Sequence, residues 1–222
     1  MPQDSTPLVV EYYSDLLCVW AWIAQRRLDE LAAQYSDRIE LKCLYINIFG
    51  DCAGKMQKQW AKRDGYGGYA QHVQESVEPY DNAPVNPAVW QVVRPTTSAN
   101  AHLIVKAAEL VTSSEVSARL ALSLRQAFFI DARDISQLDF LLQHAADFGL
   151  DLDLIMGAMQ DGTAMAALMS DYQQAQHQGL KGSPSYVLDG GRQTLYGNVG
   201  YRVLSANIEE LLKKPAEEAS WC

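Results

Sequence analysis

The residue with the clearest chemical potential is Cys18, in the stretch Tyr13-Ser14-Asp15-Leu16-Leu17-Cys18-Val19-Trp20-Ala21-Trp22. This stretch joins an apolar strand pattern, Leu8 to Tyr13, to a helical pattern running from about Cys18 to Gln34. A cysteine at the first turn of a helix meets unpaired backbone N–H groups and the positive end of the helix dipole. With partial exposure, that environment lowers a thiol pKa and supplies a nucleophilic thiolate near neutral pH. Ala21 stands three residues further on, so no second thiol follows at Cys-x-x-Cys spacing. The plainer alternative is a small buried apolar residue, a common fate for free cysteine.

The remaining candidate groups are scattered. Cys18, Cys43, Cys52 and Cys222 lie far apart, as do His72, His102, His144 and His177. Zinc sites show ligand pairs at short spacing, so no metal is expected, and a chain of this size does not need a disulfide framework. Cys43 reads as inert core on a central strand. Cys52, expected in a loop, and Cys222, at the terminus, read as incidental thiols, although either could resolve an adduct on Cys18. The histidines read as surface or packing residues.

The elements that must position Cys18 follow from periodicity. Leu8–Tyr13 is a compact run of β-formers, with Ser14-Asp15 as turn or capping chemistry. The helix then carries Ile23, Leu28, Leu31 and Tyr35 on one face. A second strand, Arg38 to Ile46, alternates Ile39, Leu41, Cys43 and Tyr45. Strand, helix, strand predicts a right-handed βαβ crossover with parallel strands. Between Phe49 and Pro95, glycines and prolines predict one or two short helices and an irregular segment of the kind that forms a lid or substrate wall. Trp60, Tyr66, Tyr69, Tyr80 and Trp90 could line it.

From Thr96 onward the pattern is helical, with caps expected at Thr97-Ser98, at a Ser136/Asp139 capping box and at Asp151. Gly149 and Gly179 end helices. Ser185–Leu188 and Gln193–Tyr196 predict a hairpin, followed by a helix from Tyr201 to about Lys214 and a frayed tail, 215–222. The sum is an α/β domain from 1–95 and 181–222, with an all-helical insertion at 96–180.

Composition bounds the partners. The 222 residues carry 18 basic and 27 acidic side chains, a net charge of −9, with no basic patch. That argues against nucleic acid, whose binding rests on clustered Lys and Arg. No signal-peptide pattern opens the chain, and its apolar runs fall short of the roughly 20 residues of a membrane span. A cytoplasmic protein without a membrane partner is therefore expected.

Four pieces together resemble the DsbA-like branch of the thioredoxin superfamily, and within it the FrnE-like proteins. They are the Cys18 stretch, Pro95-Thr96-Thr97-Ser98-Ala99-Asn100-Ala101-His102, Phe128-Phe129-Ile130-Asp131-Ala132-Arg133-Asp134-Ile135-Ser136, and Gly182-Ser183-Pro184-Ser185-Tyr186-Val187. The family pattern at the first piece is Cys-Pro-Trp-Cys. Cys18 and Trp20 match, Val19 replaces the proline, and Ala21 replaces the resolving cysteine. The resemblance implies a thioredoxin fold and a thiol–disulfide oxidoreductase whose single cysteine needs an external thiol such as glutathione. It implies a cis peptide at Ser183-Pro184 beside Cys18, with the Ser183 backbone pairing an extended substrate. Trp20 would contact that substrate, and Trp22 would be core.

The Cys18 stretch is also similar to kappa-class glutathione transferases and 2-hydroxychromene-2-carboxylate isomerases. In that alignment Asn198 falls roughly where glutathione carboxylates are held, and a homodimer is allowed because kappa-like relatives pair. No bound cofactor is implied, only glutathione as co-substrate. A peptide-binding module that kept the cleft without turnover is a third reading.

Overall fold

The computed structural model describes residues 6–213. β1 (Leu8–Ser14) leads through a short turn into α1 (Val19–Tyr35) and then β2 (Ile39–Tyr45). The two strands pair in parallel, from Leu8 beside Ile39 to Ser14 beside Tyr45. The chain continues through α2 (Cys52–Gln59), α3 (Gly65–Val77), α4 (Ala99–Val111), α5 (Ser114–Phe129), α6 (Leu138–Asp147), α7 (Leu152–Gln160) and α8 (Thr163–His177). It closes with the hairpin β3 (Ser185–Leu188) and β4 (Gln193–Tyr196), then α9 (Tyr201–Leu212). The sheet order is β2-β1-β3-β4, and β3 runs antiparallel to both neighbours.

Alternation along β1 divides the layers. Val10 and Tyr12 pack against Leu28, Leu31 and Tyr35 of α1 and against Leu204, Ile208 and Leu211 of α9. Tyr13 faces the other way, into a cluster with Val187, Ala175 of α8 and Leu180. A larger core begins at Leu16, Leu17 and Val19, includes Trp22 and Ile23, and continues through Phe49, Met56, Val73 and Trp90 into α4–α8. Each buried side chain of this size stabilises by about 1.5–3 kcal/mol. The turn that carries Cys18 is therefore pinned by the same core that holds the helical block.

Several local expectations are corrected. β2 is an edge strand, so Cys43 is half-buried at the sheet margin rather than central. Cys52 is the first residue of α2 and fully buried, not a loop thiol. Ser98 is the N-cap of α4 but makes no side-chain cap bond, because its hydroxyl is taken by Asp15. α6 starts at Leu138, not Ser136, whose hydroxyl instead accepts the Thr96 N–H and pairs with Asp134. The segment 49–95 does carry the expected short helices, α2 and α3, ahead of an irregular stretch. In α3, a Cβ at Gly68 would lie 1.6 Å from the Arg63 carbonyl oxygen, so glycine permits this close approach. The expected helix end at Lys214, the tail 215–222 and Cys222 lie outside the described residues.

Candidate active site

Sheet topology brings the site together. The C-terminal end of β1 pairs with the N-terminal end of the antiparallel β3, with Tyr13 beside Ser185. The turn leaving β1 and the loop entering β3 therefore meet at one end of the sheet. That loop contains Ser183 and Pro184, joined by a cis peptide. Cys18 is the N-cap of α1, and its thiol donates to the Ser183 carbonyl at 3.1 Å. Thus three of the expected residues, Cys18, Ser183 and Pro184, are brought together. The Ser183 carbonyl, expected to pair with an extended substrate, here accepts the thiol.

The thiol environment differs from the expected exposed, low-pKa cysteine. Cys18 is only 6% exposed. Burial pushes its thiol above the ordinary value, and the Asp15 charge pushes the same way. The Ser183 side-chain hydroxyl and the backbone N–H groups of Ala21 and Trp20 oppose this. The helix N-terminus thus addresses the sulfur as expected, but desolvation outweighs it. The sign gives a testable pH dependence. Alkylation of Cys18 by iodoacetamide should rise about tenfold per pH unit from 7 to 9, as thiolate accumulates. A rate that levels off below pH 7, measured by mass spectrometry, would show a depressed thiol pKa instead.

Beneath the thiol lies a polar centre that sequence reasoning missed. Asp15, read only as a turn residue, is fully buried. Its Oδ1 accepts the Leu17 N–H at 2.9 Å. Its Oδ2 accepts the Ile48 N–H at 3.1 Å, the Phe49 N–H at 2.9 Å and the Ser98 hydroxyl at 2.8 Å. The Asp15 N–H donates to Ser183 Oγ at 2.9 Å. One residue thereby ties the Cys18 turn to the loop after β2, the start of α4 and the cis-proline loop.

His102 on α4 completes this support. Leu16 N–H donates to its Nε2 at 3.1 Å, so that nitrogen is unprotonated and Nδ1 carries the hydrogen, donated to Tyr172 Oη at 2.8 Å. Burial holds the imidazole down to about 4, against the pull of Asp15. The 3.7 Å approach of Nε2 to Asp15 Oδ1 is therefore a neutral contact rather than an ion pair. Arg125 on α5 adds a donor to Ser14 Oγ at 2.8 Å. The available signal was adjacent polar residues, Ser14 and Asp15, between the largely apolar strand Leu8–Tyr13 and Leu16-Leu17.

The other expected residues sit further out. Trp20 is half-buried, with its ring 6.4 Å from that of His72. His72 in turn lies against Trp60 and borders a cavity of about 910 Å³ that also includes Gln71, Gln74 and Gln91. Trp22 is core, stacked on Phe129 and donating its Nε1–H to the Pro84 carbonyl. Trp90 and Tyr69 are buried rather than wall-lining. Asn198 is exposed, and its amide donates to Tyr80 Oη at 2.6 Å, so the irregular segment supplies its partner. Cys52 donates to the Phe49 carbonyl at 3.3 Å, and burial pushes its thiol up to about 12. Burial likewise pushes Cys43 up to about 11. Among the described residues no cluster suited to a metal ion is found. No described helix is long and apolar enough to cross a membrane.

Comparison with known proteins agrees with this architecture. A family model described as a DSBA-like thioredoxin domain matches residues 9–209. The cytosolic disulfide reductase DsbM from Pseudomonas aeruginosa superposes with a TM-score of 0.69, at 19% identity, covering 92% of this chain and all of DsbM; a DsbM structure with GSH is also similar. A 2-hydroxychromene-2-carboxylate isomerase superposes with a TM-score of 0.66, at 15% identity, covering 96% of this chain and 100% of the isomerase. The ClpXP adapter protein SpxH from Halalkalibacterium halodurans is 22% identical over 214 residues, 93% of this chain and 68% of SpxH. With a mixed sheet, Cys18 heading α1 against a cis-proline loop, and a family match along nearly its whole length, the chain belongs to the DSBA-like thioredoxin-domain family.

Proposed function

We propose that the protein is a monothiol disulfide reductase that uses glutathione or a similar external thiol. The observation that carries this reading is the pairing of Cys18 at the head of α1, its sulfur 3.1 Å from the Ser183 carbonyl, with Ala21 where a resolving cysteine would stand. In the first step the Cys18 thiolate attacks one sulfur of a disulfide. The S–S bond breaks, a mixed disulfide forms on Cys18, and the departing thiolate takes the electron pair and a proton from solvent. An external thiolate then attacks the substrate sulfur of the mixed disulfide, which releases the Cys18 thiolate and leaves substrate and external thiol joined, and a second external thiol cleaves that disulfide to free the substrate thiol. Two external thiols are oxidised for each disulfide reduced.

Loss of the Cys18 proton removes the S–H···O bond, which releases the Ser183 carbonyl to accept a substrate N–H. Trp20, two residues after Cys18, and the exposed Asn198 are assigned as further substrate contacts in this reading. The fold likeness to DsbM, for which a glutathione-bound form exists, supports the choice of co-substrate. A glutathione-dependent isomerase or transferase would place the glutathione sulfur at the same Cys18, and a cytoplasmic setting suits either reaction. The test is steady-state reduction of hydroxyethyl disulfide with glutathione as sole reductant, expected to be saturable in both.

A second reading, a binding module without turnover, is favoured by the burial of the thiol and by the relative named as an adapter. Absence of turnover together with absence of any Cys18 adduct would select it over the reductase.

A further inference from the structure

Beside Cys18, the cis-proline loop opens on a second cavity, of about 590 Å³, within the range of small-molecule sites. Ser183, whose carbonyl receives the Cys18 thiol, forms part of its wall, so one residue connects the cavity to the sulfur. Gly179, Gly182 and Gly197 expose backbone along the cavity, and Tyr196, 54% exposed, offers a ring face. Lys181 is the only charged side chain among the described lining residues. It is exposed, and among the described residues no carboxylate pairs with it. It also borders a smaller pocket of about 270 Å³ with Asn47 and Gln176.

We propose that Lys181 is a specificity-determining residue, which binds a carboxylate of a small thiol or disulfide while its sulfur reacts at Cys18. This rests on the reading of Cys18 as a nucleophile and adds the class of partner that it prefers. The charge balance makes the inference sharp. A protein of net charge −9 repels anions at long range, so its overall field favours cationic disulfides. Preference for an anionic disulfide therefore requires a local cation, and Lys181 supplies one in the wall of the cavity that Ser183 also lines. Gly182 next to it leaves space for the ligand main chain, since nothing lies within 4 Å of where its Cβ would stand.

The test uses three probes on the intact protein: oxidised glutathione (anionic), hydroxyethyl disulfide (neutral) and cystamine (cationic). Rates of mixed-disulfide formation at Cys18 are measured by mass spectrometry, with the neutral probe calibrating each protein. The wild type should favour oxidised glutathione over cystamine at low salt. Lys181→Gln should lower the glutathione-to-neutral ratio about threefold, and Lys181→Glu should lower it about tenfold and turn the preference toward cystamine. Both effects should shrink in 0.5 M salt, at roughly half the physiological Debye length. Ratios that agree within twofold among the three proteins would overturn the role of Lys181 while leaving Cys18 a nucleophile. Failure of all three probes to modify Cys18 would overturn the nucleophile reading, and the selectivity with it.

Discussion

Changing Cys18 to serine should lower glutathione-dependent disulfide reduction by about a thousandfold or more, while the protein remains folded. The chemistry demands a large effect, because a serine hydroxyl ionises far above neutral pH and cannot carry the electron pair through a disulfide exchange. The structure explains why the fold survives. Cys18 contributes one S–H···O bond to the Ser183 carbonyl, and a serine hydroxyl can make a similar bond at the same place. The stability change should stay within about 1 kcal/mol, read from urea unfolding. Retention of full activity in the variant would remove the sulfur from the mechanism.

Asp15→Ala should have the largest structural effect. It strands the Leu17 and Phe49 N–H groups and the Ser98 hydroxyl inside the protein, and leaves the half-buried Ile48 N–H with only the Ile46 carbonyl. Each stranded buried donor costs about 1–3 kcal/mol, partly relieved if water enters the space. We expect a loss of about 4 kcal/mol, which for a chain of this length corresponds to a fall in Tm of roughly 8–16 °C. Asp15→Asn separates the two roles of this side chain. It keeps an acceptor for some of those donors but removes the negative charge that helps hold the Cys18 thiol up. Its cost should be smaller, and its Cys18 alkylation profile should move to lower pH. A profile that moves upward or stays fixed would show that the charge of Asp15 does not act on the sulfur.

The parts of the fold legible in sequence were those governed by periodicity. β1, α1 and β2 each bury one face, and Val10, Tyr12, Leu28, Leu31 and Tyr35 fall on those faces as their spacing requires. Asp151 is a local cap and was also legible, since its partners are the N–H groups of Asp153 and Leu154. Ser98 and Ser136 were not, because their hydroxyls serve partners 83 and 40 residues away instead of their own helices. The same reason hid Asp15, whose bonds reach Ile48, Phe49, Ser98 and Ser183. Within α3, glycines lower helix propensity but allow close packing against Arg63.

At the site, the position of Cys18 was legible because a strand–turn–helix signature fixes the head of α1. Its burial was not, because the covering residues come from segments far along the chain. The difference has a functional consequence. A thiol kept protonated against the Ser183 carbonyl needs either higher pH or an incoming partner that displaces this bond before it attacks. In the proposed reductase cycle, substrate binding and thiol activation are coupled at one atom, the Ser183 carbonyl oxygen.

The monothiol cycle is tested most directly by mass spectrometry of the reduced protein after incubation with oxidised glutathione and removal of excess reagent. Peptide mapping should find one glutathione on Cys18, stable until an external thiol is added and then released as oxidised glutathione. Loss of the adduct without added thiol, with Cys18 recovered in a disulfide to Cys52 or Cys222, would contradict the single-thiol cycle.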